Sequence, residues 1–278
     1  MILDTIAEAA KKRVAAEKQK CSPEEMQKRA FEVREREREK GAAQGTGGSG
    51  GGRLLPFEAA LRRPGISFIC EVKKASPSKG LIAPYFPYVD IAREYEAAGA
   101  DAVSVLTEPE FFQGSDRYLE EIHREVSLPL LRKDFIVDEY QIYQAKAMGA
   151  SAVLLICSLL DKKQLSRYMG ICRELGLSQL TEAHSDEEVA MAAEAGASVI
   201  GINNRNLKTF EVDFSNALRL RRLVDGNTVF VAESGVKGPE DIRKLAEARV
   251  DAVLIGETLM RAPDKTEMLA KLKEAAGR

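Results

Sequence analysis

Ionisable or amide side chains follow five apolar runs of the sequence, at the points where predicted strands end. These positions hold Glu71 and Lys73, Lys133, Glu182, Asn203, and Glu233. A charge at the end of a buried strand is costly unless a partner or a reaction requires it. One such residue could be an ion pair that fixes a loop, whereas five strands with the same pattern predict a site. Lysines and carboxylates together can transfer protons and stabilise charge that develops on oxygen.

The segments between these strands read as helices, because apolar residues recur at three- and four-residue steps. We predict helices over 88–99, 115–126, 137–149, 161–176, 185–196, 213–224, 238–248 and 262–276. The predicted strands begin near Phe68, Ala102, Leu128, Ala152, Gln179, Ser198, Thr228 and Ala252. Strands that alternate with helices are typical of parallel βα units. Eight units fit a closed barrel, so the predicted fold is α/β, a single (β/α)8 TIM barrel with an N-terminal helical extension.

A weak internal repeat agrees with this strand count. Segments of small residues precede the even-numbered strands and begin at Gly99, Gly149, Gly196 and Val250, about fifty residues apart. Such a step spans two βα units, as expected for a barrel of alternating layers. Small residues before a parallel strand also occur in open sheets, so the repeat supports the count and does not establish it alone.

Composition limits the possible classes of function. The chain has 278 residues, of which 45% are hydrophobic, enough for one barrel and a short extension but not for a second catalytic domain. The formal net charge is −2 and the charges are interleaved, so no nucleic-acid footprint is visible. No apolar run reaches the roughly eighteen residues of a membrane span, and the N-terminus lacks a signal-peptide core. We expect a cytoplasmic protein without nucleic-acid or membrane partners.

The first fifty-odd residues are predicted to be separate from the barrel. Residues 3–20 read as an amphipathic helix, and Ser22-Pro23-Glu24-Glu25 is a capping box that opens a second helix to about Lys40. The seven glycines of 41–52 lack the Gly-Lys-Ser/Thr ending of a phosphate loop and follow no strand, so a flexible linker is the better interpretation. The predicted organisation is a helical extension (1–40), a linker (41–53) and a catalytic barrel (54–278).

The cysteines and histidines indicate neither a metal site nor a nucleophile. Four cysteines without paired spacing fit a reducing compartment: Cys21, Cys70, Cys157 and Cys172. If Glu71 and Lys73 point into the barrel mouth, the two-residue period of a strand sends Cys70 to the helix side, so a nucleophilic role is not expected there. His123 and His184 belong to no cluster with metal-ligand spacing, and we expect no metal.

Residues 71–80, Glu-Val-Lys-Lys-Ala-Ser-Pro-Ser-Lys-Gly, closely resemble the signature of the indole-3-glycerol phosphate synthase family. The likeness extends from about residue 56 to 262, through motifs at 104–107, 111–115, 131–135, 181–182, 201–207, 233–235 and 256–260. The resemblance implies a (β/α)8 barrel of tryptophan biosynthesis that works without a cofactor. Its substrate would be 1-(2-carboxyphenylamino)-1-deoxyribulose 5-phosphate, converted to indole-3-glycerol phosphate by ring closure, decarboxylation and dehydration.

The resemblance also implies catalytic roles. Lys133 matches the general acid that protonates the ketose carbonyl oxygen, and Glu182 matches the base that removes a proton as the indole ring regains aromaticity. Lys73 matches a residue that contacts substrate oxygens and phosphate and is also proposed to help expel the hydroxyl. Which of the two lysines acts in the dehydration step therefore stays open. We expect Glu71 and Glu233 to hold the lysines charged and oriented. Asn203 could bind a hydroxyl without adding charge.

Further residues match positions that bind the two ends of the substrate. Those lining the anthraniloyl half are Ser76, Phe112, Phe135 and Arg205. The phosphate is expected at the loops after strands seven and eight, where glycines let backbone N–H groups approach an anion. We assign Ser234 to substrate binding and Lys73, Gly235, Gly256 and Glu257 to phosphate binding. Glu257 stands where family members have serine, a change that a backbone contact tolerates.

The N-terminal region departs most from the family pattern. Family members carry a helical extension that packs over the barrel mouth, and residues 3–20 match that element. The glycine-rich stretch over 41–52 is longer and looser than the family connection. The implied partner is a small phosphorylated substrate. The sequence does not fix the oligomeric state; we expect a monomer, with loose association with other tryptophan-pathway enzymes at most.

Two alternative functions fit less well. A phosphoribosylanthranilate isomerase needs a cysteine on strand one and an aspartate on strand six, where this chain has Glu71 with Lys73 and Asn203. A catalytically silent phosphate-binding or scaffold barrel would be marked by loss of Lys133 or Glu182, and both are present. A salt-bridge network without catalysis is the remaining structural alternative for the charged residues.

Overall fold

A computed structural model describes residues 2–43, 54–205 and 211–278 and shows a closed barrel of parallel strands. The barrel strands are β1 (Ser67–Val72), β2 (Ala102–Leu106), β3 (Leu130–Lys133), β4 (Ala152–Ile156), β5 (Ser178–Ala183), β6 (Val199–Asn203), β7 (Val229–Glu233) and β8 (Ala252–Ile255). Neighbours in the chain are neighbours in the sheet, and β1 closes the ring by pairing with β8. The prediction of a (β/α)8 TIM barrel is therefore confirmed.

The helices precede, connect and follow these strands. They are α1 (Ile2–Lys20), α2 (Pro23–Ala43), α3 (Pro56–Leu61), α4 (Tyr88–Ala97), α5 (Asp116–Glu125), α6 (Tyr140–Ala147), α7 (Lys162–Leu175), α8 (Asp186–Glu194), α9 (Ser215–Leu220), α10 (Pro239–Glu247), α11 (Glu257–Arg261) and α12 (Lys265–Ala275). Local sequence explains their limits. In α7, Asp161 and Gln164 form a reciprocal capping box, and Gly176 ends the helix at φ 65°.

Some boundaries differ from the prediction for local reasons. Strand β3 begins at Leu130 rather than near Leu128, because Pro129 has no N–H to donate to a ladder. Helix α6 begins at Tyr140 because the Gln141 side chain holds the preceding turn by accepting the N–H groups of Val137 and Asp138.

Short elements account for the other differences from the predicted pattern. The predicted helix over 213–224 is α9 followed by a 3-10 turn over Arg221–Leu223. The one over 262–276 is α12, with the separate short helix α11 before it. A small hairpin after β1, formed by Ala75–Ser76 and Gly80–Leu81, was not predicted.

Apolar side chains fill much of the barrel interior. Ile69, Leu131, Leu180 and Val231 belong to one buried cluster, which α3 extends at the end of the barrel where the strands begin. Cys70 lies in the other cluster, between strands and helices, as predicted from the period of two. Burial raises the pKa of the Cys70 thiol, so it stays protonated and unreactive.

The N-terminal extension is helical and packs against the barrel. Helix α1 contributes Ile6 and Ala10 to the interior cluster, and α2 packs along α6. Pro23 opens α2, and the Ser22 hydroxyl accepts the Glu25 N–H at 3.2 Å, which is one of the two hydrogen bonds of the predicted capping box. Helix α2 continues to Ala43, three residues into the predicted linker of 41–53; residues 44–53 of that linker lie outside the described residues.

Candidate active site

A cavity of about 890 Å³ opens where the barrel strands end. All residues predicted for the site line it: Glu71, Lys73, Ser76, Phe112, Lys133, Phe135, Glu182, Asn203, Arg205, Glu233, Ser234, Gly235, Gly256 and Glu257. Their convergence follows from the fold, because parallel strands bring their carboxyl ends to one face of the barrel. Helix α1 adds an apolar wall of Ile2, Leu3 and Ile6.

Lys133 lies between two carboxylates at the ends of different strands. Its Nζ is 3.0 Å from Glu182 Oε2 and 3.3 Å from Glu233 Oε2. Burial alone would lower the pKa of this amine, but Glu182, Glu233 and Glu71 together outweigh it and raise the pKa. Lys133 is therefore an ammonium that faces the cavity with donors held in a fixed direction.

Lys73 has its own carboxylate partner. Its Nζ is 2.7 Å from Oε1 of the buried Glu71, whose other oxygen accepts the Ser104 hydroxyl at 3.4 Å. Gly256 on the neighbouring strand end leaves room for this pair, because a Cβ there would lie 2.4 Å from Glu71 Oε1. The two lysines are thus held by separate carboxylates in one cavity.

Glu182 has both carboxylate oxygens engaged. Lys133 binds Oε2, and the Asn203 side-chain amide donates to Oε1 at 3.3 Å. The Asn203 side-chain oxygen accepts the Arg205 N–H at 3.0 Å, which fixes the orientation of the amide. Asn203 therefore positions Glu182, in addition to any contact with substrate.

Glu233 is the least compensated of the carboxylates. Its Oε1 is buried without a hydrogen-bond partner among the described residues and lies close to Gly201, where a Cβ would be 2.2 Å away. Burial, and then the carboxylates of Glu182 and Glu71, raise the pKa of Glu233 to about 8 against the opposing effect of Lys133.

Backbone turns after β7 and β8 form one end of the cavity. Ser234 and Gly235 have φ values of 64° and 94°, which turn the chain sharply after β7. Helix α11 begins at Glu257, whose Oε1 is 3.1 Å from Arg261 Nε and 3.5 Å from Lys79 Nζ. The two cations compensate the charge of the Glu257 carboxylate.

Sequence reasoning missed several cations at this end of the cavity: Lys79, Lys237 and Arg261. Lys79 was contained in the quoted 71–80 motif but was given no role. Arg261 follows Glu257 at the i,i+4 spacing of a helical ion pair, a signal that could have identified it. Lys237 carries no comparable signal.

Aromatic side chains form the opposite end. The rings of Phe112 and Phe135 have centroids 5.9 Å apart at 38°, and Phe135 packs with Ile6 in the interior cluster. Ser76 lies in the hairpin after β1, and Arg205 follows β6. Residues 206 and 207, the end of one quoted motif, lie outside the described residues.

Two kinds of feature are absent from the described part of the chain: metal-binding clusters and membrane-spanning helices. The described residues contain no grouping of three or more His, Cys, Asp or Glu side chains suited to a metal ion. Among the described helices, none combines the length and the apolar character that a membrane crossing requires.

The fold and the cavity define a class: a TIM-barrel enzyme whose paired lysines and carboxylates are placed for acid–base chemistry at the barrel mouth. The model of the family "Indole-3-glycerol phosphate synthase" matches residues 3–272. This chain belongs to that family, the carboxy-lyases of tryptophan biosynthesis.

Individual relatives and solved structures agree. The chain is 51% identical over 275 residues to indole-3-glycerol phosphate synthase of Lachnoclostridium phytofermentans, covering 98% of this chain and 99% of that protein. It is 58% identical over 220 residues to the enzyme of that name from Ruminiclostridium cellulolyticum, covering 79% and 85%. The structure of 3-hexulose-6-phosphate synthase from Salmonella typhimurium aligns with a TM-score of 0.63 at 12% identity, covering 76% of this chain and 98% of that one. At that identity the likeness shows the barrel fold alone.

The raised pKa of Glu233 makes stability depend on pH. The stability that this carboxyl contributes is complete below its ordinary pKa of 4.5 and is lost as the pH rises through about 8, where the folded protein must hold a buried charge. Glu233→Gln keeps the shape without ionising. Between about pH 6 and about pH 9, the melting temperature of the wild type should therefore fall about 5–10 °C further than that of the variant. Parallel melting curves test this, and identical pH dependence would show that Glu233 is ionised throughout.

Proposed function

We propose that Lys133, Glu182 and Lys73 carry out the family's reaction in this cavity. The substrate is 1-(2-carboxyphenylamino)-1-deoxyribulose 5-phosphate and the product is indole-3-glycerol phosphate. The observation that supports the proposal most is the Lys133 ammonium, held 3.0 Å from Glu182 and 3.3 Å from Glu233 at the cavity wall. An acid and a base within hydrogen-bonding distance of each other can act on adjacent atoms of one substrate.

Ring closure is the first step of the proposed reaction. The aromatic carbon that bears the carboxylate attacks the ketose carbonyl, a carbon–carbon bond forms, and the carbonyl oxygen gains negative charge. Lys133 stabilises that charge and donates a proton to the oxygen. Carbon dioxide then leaves, and the electron pair of its bond restores the aromatic ring.

Dehydration completes the reaction. The new hydroxyl leaves as water after receiving a proton from a lysine, and Glu182 removes a proton from the adjacent carbon to form the indole double bond. The substrate loses a carboxylate, so one proton is taken from solvent in each turnover. We assign departure of the hydroxyl to Lys73, with Glu71 holding it charged at 2.7 Å. Glu233, 3.3 Å from Lys133 Nζ, orients the ammonium.

The two ends of the cavity suit the two ends of the substrate. We assign the phosphate to backbone N–H groups near Gly235, Gly256 and Glu257. The Glu257 carboxylate is compensated by Lys79 and Arg261. At the other end, we assign the anthraniloyl ring to the aromatic pair, beside the polar side chains Ser76 and Arg205, and the sugar hydroxyls to Asn203 and Ser234. This assignment places the ketose carbonyl beside Lys133.

Several broader features belong to the same proposal. We divide the chain into a helical extension that ends with α2 at Ala43, a linker to residue 53 and a catalytic barrel over 54–278. We place the protein in the cytoplasm, where its four free cysteines would stay reduced. We also propose that it acts as a monomer, with at most loose association with other tryptophan-pathway enzymes.

Product formation tests the activity directly. The chain contains no tryptophan, so the indole fluorescence of the product is not overlaid by tryptophan emission from the protein. Mixing the purified protein with the carboxyphenylamino-deoxyribulose phosphate should give an indole signal that grows with time and with enzyme concentration. The control is the same substrate without protein. If no signal appears at any pH from about 6 to about 9, the proposed activity is wrong.

Two substitutions test the roles of the acid and the base. Lys133→Ala removes the proton donor but leaves the phosphate contacts, so kcat should fall by at least about 10² with a smaller change in KM. Glu182→Gln keeps the shape and should also lower kcat far more than it changes KM. Because both residues serve one reaction path, the double variant should lose less than the product of the two single losses. Retention of more than about a tenth of wild-type kcat by Lys133→Ala would transfer the acid role to Lys73.

A further inference from the structure

We propose that Arg13, on helix α1, is a positioning residue for both Lys133 and the loop that carries Phe112. The inference rests on the proposed function, because it concerns the placement of the proposed acid and of one aromatic wall. Arg13 is not among the residues that line the cavity, and its hydrogen bonds and ion pairs within the described part of the chain go to neither Lys133 nor Phe112. It acts through two buried carboxylates, Asp134 and Glu108, which hold these two parts of the site.

Asp134 is the first of these carboxylates and directly follows Lys133. Its side chain is fully buried and accepts the Thr107 hydroxyl and the Phe135 N–H, each at 2.8 Å. Arg132 Nη2 lies 3.3 Å from it. Arg13 Nη2 reaches both oxygens, at 2.7 and 2.8 Å. The chain next to the acid is therefore fixed by a carboxylate that also binds the N-terminal helix.

Glu108 is the second carboxylate. It accepts the backbone N–H groups of Glu110, Phe111 and Phe112 at 3.0, 2.7 and 3.0 Å, so it determines the shape of the loop after β2. Its Oε1 lies 4.0 Å from Arg13 Nη1. One guanidinium thus lies against both carboxylates, which follow the neighbouring strands β2 and β3.

The position of Arg13 on α1 couples these contacts to the covering of the cavity. Ile6 of the same helix lines the cavity and Ala10 is buried in the barrel interior, so Arg13 reaches the two carboxylates when α1 is in place. Without its guanidinium, the chain at Asp134 and the loop at Glu108 would each lose a charged partner. Proton transfer requires hydrogen-bonding distance, and a misplacement of about 1 Å can cost about 10²-fold in rate.

Lys18 provides a matched control on the same helix. Its Nζ makes an ion pair with Asp138 Oδ2 at 2.7 Å, which also ties α1 to the barrel. Neither Lys18 nor Asp138 lines the cavity. Lys18→Met therefore removes a comparable tether while leaving Asp134 and Glu108 with their guanidinium.

The experiment compares Arg13→Met, Arg13→Lys and Lys18→Met with the wild type. Steady-state kinetics should show kcat lowered about tenfold or more by Arg13→Met, with a smaller change in KM. Lys18→Met should keep kcat within about twofold. Arg13→Lys should lie between them, because an ammonium replaces the charge but not the paired N–H geometry.

Amide hydrogen exchange gives a second readout that needs no activity. In Arg13→Met, the amides of Phe111, Phe112 and Phe135 should exchange faster, while Lys18→Met should leave them unchanged. Equal effects of Arg13→Met and Lys18→Met on kcat would reduce Arg13 to a tether, and a fall in kcat without faster exchange at these amides would also overturn the proposal. A wild type that forms no product would refute the proposed function instead, while the exchange result would still decide whether Arg13 holds the two segments. If Arg13→Met does not fold, the same comparison of kcat and of amide exchange is made between Arg13→Lys and Lys18→Met. The same outcomes then support or overturn the proposal.

Discussion

The structure depends on keeping a charged lysine inside the mouth of an apolar barrel. Removing an ammonium from water is costly, and the cost is offset only by carboxylates with good geometry. Lys133 has two such partners, on strands that are not its neighbours in the sheet. A closed parallel barrel meets this need, because it brings the carboxyl ends of distant strands around one cavity.

The same requirement explains two glycines that no turn demands. Gly201 and Gly256 lie beside Glu233 and Glu71, and a side chain at either position would collide with a carboxylate oxygen. These carboxylates form ion pairs with Lys133 and Lys73. The missing side chains of the two glycines therefore leave the room that the ion pairs need. Catalysis by pre-placed charges requires such rigidity, since donors that are already oriented need no rearrangement during the reaction.

Much of this could be predicted from the sequence because strand ends are local features. The period of two placed Glu71 toward the cavity and Cys70 toward the helices, and the family motifs fall at the same strand ends. The Arg13–Asp134 contact could not be predicted, because it joins residues 121 positions apart and depends on how α1 lies on the barrel. The Glu233 oxygen without a hydrogen-bond partner among the described residues could not be predicted either, because its position beside Gly201 of the neighbouring strand depends on how the strands pack.

The central claim is that the surrounding carboxylates keep Lys133 charged. Nuclear magnetic resonance of the lysine side-chain nitrogens, with the Lys133 signal assigned by its absence in Lys133→Ala, measures this directly. Lys133 should keep its proton to a higher pH than the ordinary lysine pKa of 10.5. A titration midpoint below that value in the folded protein would show that burial outweighs the carboxylates, and would contradict the account.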